Sequence, residues 1–220
     1  MLKVPDILIV VATALEAERL PSLPNARVVV SGIGAVNAGL ATQRAILETP
    51  PDLILSVGIG GAYPWSAADI GDIVVSSELI YAGLGAEDGE RWLDLEELGF
   101  ALLETPERVY NVLPAAPQAR KFAQITHAHL GPILTLETVT GSRWSLERLR
   151  LAHPDALCEA MEGAGIAHAA ALHGIPTLEI RGISNMVLDR RDRDSWRIGA
   201  ALTALHTALE TGWDGLRLEL

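Results

Sequence analysis

The sequence predicts an α/β fold, a three-layer α/β/α sandwich around a central mixed, largely parallel sheet. Three observations carry that expectation. Short β-branched runs alternate with Ala/Leu-rich segments of helical period. Several runs, such as Ile7-Leu8-Ile9-Val10-Val11 and Leu53-Ile54-Leu55, are apolar without alternation, as strands covered on both faces require. Two glycine-rich segments directly follow such runs, at strand carboxyl ends, where open sheets of this kind gather their ligands.

In chain order, strands are expected at Asp6 to Ala12, Ala26 to Ser31, Asp52 to Val57, Asp72 to Tyr81, Gly131 to Leu136, Ala156 to Ala160 and Thr177 to Ser184. Helices are expected at Leu15 to Leu20, Ala35 to Glu48, Ser145 to Leu151, Glu162 to His173 and Asp194 to Thr211. The segment Gly83 to Pro117 mixes Gly, Pro and both charges and reads as long loops with a short helix. No repeat, low-complexity tract or linker interrupts the 220 residues, so residues 1–220 read as one domain.

A composition 49% hydrophobic and 20% charged excludes a disordered or fibrous chain. No apolar run approaches the ~20 residues that span a bilayer. The run Ile7 to Ala12 lacks a basic leader and a cleavage site, so no export signal is read. The single cysteine, Cys158, cannot form an internal disulfide, which fits a reducing compartment and a cytoplasmic location. A net charge of −11 repels a nucleic-acid backbone, and the one Arg cluster, Arg190 to Arg193, is interleaved with Asp189, Asp192 and Asp194. Neither nucleic acid nor membrane is an expected partner, whereas a small uncharged ligand is not disfavoured.

Five segments carry candidate chemistry. Thr13-Ala14-Leu15-Glu16 follows the first strand and puts Glu16 in the first turn of a short helix, as a general base toward water or as an ordinary helix-start acid. The turns Ser31-Gly32-Ile33-Gly34 and Val57-Gly58-Ile59-Gly60-Gly61 let backbone approach a ligand closely, or are tight connections with no ligand role. Their spacing is not that of a dinucleotide fingerprint. In Glu159-Ala160-Met161-Glu162-Gly163, a carboxylate opening a helix sits at the positive end of its dipole. It can accept hydrogen bonds from vicinal ribose hydroxyls, or merely satisfy first-turn amides. Arg181-Gly182-Ile183-Ser184-Asn185 ends a strand in small polar groups. The Asn185 amide both donates and accepts, so it suits a base edge, and it also suits a turn. The run Asp189 to Asp194 reads as a solvated loop, with Asp194 capping the last helix.

Taken in order, T-x-x-E-A, S-G-I-G, V-G-I-G-G, G-D-I-V-V, M-E-G-A and R-x-I-S-N resemble the nucleosidase branch of the purine nucleoside phosphorylase superfamily, near the methylthioadenosine/S-adenosylhomocysteine nucleosidases. Within that branch, R-G-I-S-N followed by D-R-R-D-R-D-S-W looks most like the futalosine hydrolases of the alternative menaquinone route. The resemblance spans nearly the whole chain and implies a nucleoside phosphorylase-like fold. It implies Glu16 as the base that orients water, Met161 and Glu162 as ribose contacts, and Ser184 and Asn185 as purine contacts. The Gly58, Ile59, Gly60 and Gly61 segment is then expected to border the sugar, with backbone around Thr138 and Val139 lining the base pocket. It also implies a homodimer or larger assembly, and no metal or organic cofactor.

Where the methylthioadenosine enzymes carry an Asp that helps protonate N7, this chain has Asn185, and an amide cannot be that acid. A 6-oxopurine presents O6 and N7 as adjacent acceptors, which the Asn NH2 serves and an ionised Asp would repel. Hypoxanthine is therefore favoured over adenine, and the expected reaction is hydrolysis of futalosine to hypoxanthine and dehypoxanthine futalosine. The alternatives are cleavage of methylthioadenosine, S-adenosylhomocysteine or aminofutalosine, and phosphorolysis. Phosphate needs Arg or Lys beside backbone donors. No basic residue adjoins the glycine turns in the sequence, though Arg19 and Arg44 are candidates to reach in. A non-catalytic nucleoside sensor and a dinucleotide oxidoreductase are the rivals from other classes. Trp65, Trp92, Trp144 and Trp196 are either packing residues or part of a 5′ pocket.

Overall fold

A computed structural model describes residues 2–3, 5–89, 91–105, 107–188 and 196–219. The strands are β1 (Leu2–Lys3), β2 (Ile7–Val11), β3 (Ala26–Val30), β4 (Leu53–Ala62), β5 (Ile73–Tyr81), β6 (Ala86–Asp88), β7 (Arg91–Leu93), β8 (Val112–Pro114), β9 (His129–Thr135), β10 (Cys158–Ala160), β11 (Thr177–Met186) and β12 (Leu218–Glu219). The helices are α1 (Ala14–Arg19), α2 (Ala35–Glu48), α3 (Leu95–Leu98), α4 (Gln118–Thr126), α5 (Arg143–Ala152), α6 (Gly163–Ala171) and α7 (Ile198–Gly212).

The central sheet is mixed, in the order β10-β9-β5-β11-β4-β2-β3. β2 pairs in parallel with β3 and β4, β4 with β11, and β9 with β5 and β10. β5 runs antiparallel to β11 and β8, and β10 runs antiparallel to β4. The pairings β10–β9–β5–β11–β4–β10 therefore return to their start, so this part of the sheet closes into a ring.

The unbroken apolar runs follow from cover on both faces. Ile7, Ile9, Leu53, Leu55, Leu178 and Ile180 pack against Phe122 of α4 and Leu202, Leu205 and Leu209 of α7. The residues between them, Leu8, Val10 and Ile54, pack the other way, against Ala38 and Ile46 of α2 and Ile166 of α6. Burying each such Leu, Ile or Phe contributes ~1.5–3 kcal/mol. Helices α2 and α6 cross at backbone distance, because a Cβ on Gly165 would lie 2.2 Å from the Ala35 carbonyl oxygen and one on Gly39 would lie 3.2 Å from the Gly165 oxygen.

Three sequence expectations need correction. Val57 to Ala62 is not a turn but the second half of β4, and its glycines are sites of close approach within a strand. A Cβ on Gly60 would lie 3.1 Å from the Glu159 carbonyl oxygen. Helix α4 lies where no helix is expected. The last helix begins at Ile198 rather than at Asp194, while Asp194 and the rest of the run 189–195 fall outside the described residues. No helix among the described residues is long and apolar enough to cross a membrane.

Gly165→Ala is expected to destabilise the protein by ~1–3 kcal/mol, because a backbone carbonyl cannot swing away as a side chain can. Urea unfolding of variant and parent measures it, and an unchanged midpoint contradicts the crossing geometry.

Candidate active site

The end of β2, the second half of β4, the link from β10 into α6, the end of β11 and the start of α7 enclose a cleft of about 370 Å³. Small-molecule sites span roughly 300–1,000 Å³. Glu16, Ile59, Gly60, Val139, Met161, Glu162, Ser184 and Asn185 all line it. Gly58 lies just behind the lining, and Thr138 is exposed outside it.

Glu16 occupies the third position of α1, where a capping box holds it. Its Oε2 accepts from the Thr13 amide and hydroxyl, each at 2.9 Å, and its Oε1 accepts from the Ile59 amide at 3.1 Å. Three of a carboxylate's roughly four acceptor positions are then in use. The side chain is 6% exposed and faces the cleft, so a further donor there meets a pre-oriented carboxylate.

Glu162 is the N-cap residue of α6 but makes no side-chain cap bond to its own helix. Its Oε1 accepts from the Gly34 amide at 3.2 Å, and its Oε2 lies 3.3 Å from Arg181 Nη2. The Ser31 to Gly34 turn thus has a role beyond connection: Gly34, at φ +95°, aims its N–H at this carboxylate.

At the other end, β11 shifts register against β4, pairing Ile183 with Gly60 and Asn185 with Gly61. A bulge re-aims side chains. Here Ser184 Oγ donates to the Gly60 carbonyl or to Asn185 Oδ1, at 3.2 and 2.9 Å. Asn185 Nδ2 donates to the Met186 carbonyl at 3.2 Å, and the half-buried amide lines the cleft.

Sequence reasoning gave no role to the groups that brace these residues. Arg181, 2% exposed, directs Nε to Glu179 Oε1 at 2.6 Å, Nη2 to Ser56 Oγ at 3.0 Å and Nη1 to the Ile59 carbonyl at 3.4 Å. A Cβ on Gly58 would lie 2.5 Å from Arg181 Nη1 and 2.6 Å from Glu16 Oε1, so only glycine lets the two converge there. Burial pulls the guanidinium pKa down, but Glu179, Glu162 and Glu16 outweigh it and hold the group firmly charged. Glu159 also lines the cleft, and its carboxylate accepts from the Thr140 amide at 2.8 Å and from the Tyr63 hydroxyl at 3.0 Å. Burial first, then the Glu159 charge, pushes the Tyr63 hydroxyl well above its ordinary pKa. The motif R-G-I-S-N contained the signal for Arg181, but its burial is a tertiary fact.

No basic residue adjoins the glycine segments in the sequence, but the fold brings Arg181 against Gly58. Its donors are already directed at Glu179, Ser56, Glu162 and Ile59. Arg44 pairs with Glu48 on an exposed helix face, Arg19 is exposed, and neither lines the cleft. Of the tryptophans, Trp196 lines the cleft with Ile198 and Leu202. Trp65 stacks on Tyr63 at 4.4 Å, Trp92 lies under Arg148, and Trp144 is exposed.

Residues 7–209 match the phosphorylase superfamily. The chain is 42% identical to the futalosine hydrolase of Streptomyces coelicolor, over 81% of this chain and 74% of that one. It is 34% identical to the futalosine hydrolase of Acidothermus cellulolyticus, over 86% of this chain and 76% of that one. The 5′-methylthioadenosine/S-adenosylhomocysteine nucleosidase of Colwellia psychrerythraea, solved with adenine, superposes with a TM-score of 0.79 at 20% identity, over 100% of this chain and 98% of that one. The chain thus shares its α/β fold with the nucleosidases.

Replacing Arg181 by Met leaves buried carboxylates without their counter-charge, an expected loss of ~3–5 kcal/mol at neutral pH. Burial already raises the Glu179 pKa against the pull of Arg181. With the guanidinium gone it rises further, and a raised folded-state pKa gives stability that is present at low pH and lost as pH rises through it. The deficit of Arg181→Met relative to the parent is expected to be smaller at about pH 5 than at about pH 8. Urea unfolding at the two values checks it.

Proposed function

We infer the reaction from one premise: the chain belongs to the phosphorylase superfamily and, within it, to the futalosine hydrolase family. It is an N-glycosyl hydrolase that splits futalosine with water, releasing hypoxanthine and dehypoxanthine futalosine for menaquinone formation. The observation that carries water as the acceptor is Glu16, a buried carboxylate held from two sides at the cleft wall, where a phosphate-binding enzyme would not place an anion.

In this reading the C1′–N9 bond breaks ahead of attack. The electron pair leaves with the purine, and the oxocarbenium-like ribosyl group is stabilised by the surrounding carboxylates. Glu162 accepts hydrogen bonds from the ribose hydroxyls, with Met161 against the sugar. Glu16 takes a proton from the water whose oxygen bonds to C1′. Asn185 donates to the O6/N7 edge of the departing hypoxanthine anion, with Ser184 holding the amide; solvent or another donor protonates the anion to hypoxanthine, and Glu16 returns its proton to solvent. Ile59 and Gly60 border the sugar and Val139 borders the base. Gly58 acts from behind the wall, and the exposed position of Thr138 supports no contact of its own with the base.

The reading takes residues 1–220 as one nucleosidase domain, a three-layer sandwich on a largely parallel sheet, acting in the cytoplasm as a homodimer or higher homo-oligomer. Helices on both faces of β2, β4 and β11 support the layered architecture.

Chromatography of products from futalosine, aminofutalosine, methylthioadenosine and inosine, with and without orthophosphate, tests the reaction. Hypoxanthine from futalosine in phosphate-free buffer is the expected result, and release only with phosphate overturns hydrolysis. Glu16→Gln is expected to lower kcat by ~10²-fold or more with futalosine binding still measurable by calorimetry; unchanged kcat removes Glu16 from the chemistry. Asn185→Asp is expected to shift kcat/KM from 6-oxo toward 6-amino nucleosides, and unmoved selectivity contradicts the base contact.

A further inference from the structure

A carboxylate lies buried in the central sheet. Glu179 is fully buried on β11 between Leu178 and Ile180. Its Oε1 is bound to Arg181 Nε at 2.6 Å, and its Oε2 is buried with no hydrogen-bond partner. That second oxygen lies against the start of α6, where a Cβ on Gly163 would come within 1.9 Å of it. Glu179 does not line the cleft, so it reaches the reaction only through another group. A half-satisfied buried acid costs stability, and an apolar residue of similar size would fit the strand.

The geometry of the guanidinium supplies a reason. Its donors form a rigid planar fork, so fixing Nε fixes where both Nη groups point. Nη2 then lies against Glu162, and Nη1 reaches the point beside Gly58 where Glu16 Oε1 also arrives. Without a dedicated partner on its Nε edge, Arg181 would be free to turn and take Glu162 with both arms of the fork. Resting on the hydrolytic reading above, we propose that Glu179 is a positioning residue. It anchors Arg181 so that the guanidinium stays between Glu16 and Glu162 and leaves both carboxylates to act on water and ribose.

The groups around this pair come from several elements: the carboxylates Glu16 on α1, Glu162 at the start of α6 and Glu159 on β10, and the Cys158 thiol on β10, which burial keeps protonated. Ser56 on β4 and Ser76 on β5 supply neutral contacts, Ser76 Oγ accepting from the Glu179 amide at 2.8 Å. Burial raises the Glu179 carboxyl, with Arg181 pulling it back. Removing that negative charge leaves the Arg181 charge less compensated where it borders the cleft.

The test compares the parent with Glu179→Gln and Glu179→Asp, measuring kcat and KM for futalosine across pH. In Glu179→Gln the acid limb of the kcat profile is expected to move down by roughly half a unit or more, while kcat falls tenfold to about a hundredfold. Glu179→Asp keeps the charge and loses the reach, so its limb stays in place while kcat falls. A merely structural role moves neither limb. A parent that leaves futalosine intact overturns the reaction and this assignment together. An active parent with an unmoved limb in Glu179→Gln overturns the assignment alone. Should Glu179→Gln not fold, a Glu179→Asp variant with the parent's kcat and KM overturns it.

Discussion

A cation shut away from water must be ringed by acceptors, and in this protein that requirement organises the site. Arg181 is buried in the middle of β11, and four groups from three elements converge to satisfy it: Glu179 from the same strand, Ser56 and the Ile59 carbonyl from β4, and Glu162 from the head of α6. Glu16 approaches the same point from α1. Two of the carboxylates that stabilise the guanidinium, Glu16 and Glu162, also line the cleft. The groups that balance the buried charge therefore overlap with those that shape the cleft.

The sheet makes that convergence possible. β4 and β11 run side by side, one carrying the backbone that lines the cleft and the other carrying Arg181, Ser184 and Asn185. The register shift after Ile183 turns Ser184 toward the Gly60 carbonyl and sets Asn185 opposite Gly61. The antiparallel contact of β10 with the end of β4 closes the ring and brings Glu159, Met161 and Glu162 to the same mouth.

Much of this was legible in the sequence where local physics decides the outcome. The capping pattern Thr13-x-x-Glu16 announces both a helix start and a pre-oriented acid, and α2 runs over Ala35–Glu48 as its apolar spacing predicts. The glycines of β4 were misread because glycine usually punctuates a strand, whereas here it admits Arg181, Glu16 and the Glu159 carbonyl at close range. Helix α4 buries only Ala119, Phe122 and Ala123, a stripe too short to stand out beside Arg120 and Lys121. Glu179 and Arg181 look like an ordinary alternating strand face. Only tertiary burial on both sides of the sheet turns them into an ion pair. Tyr63 and Glu159 meet across 96 residues, a distance that no pattern reports.

The glycine crossing of α2 and α6 has a bearing on how the cleft can change over evolutionary time. Gly34 and Glu162, joined by a hydrogen bond, head the two helices, and just behind them main chain rests on main chain with no side chain between. A gap set by covalent backbone has no rotamers to trade, so this wall cannot be widened by small steps of substitution. The opposite wall, where Trp196, Ile198 and Leu202 present ordinary side chains, is free to drift. Descendants that accept bulkier ligands should differ there, while the wall headed by Gly34 and Glu162 stays constant.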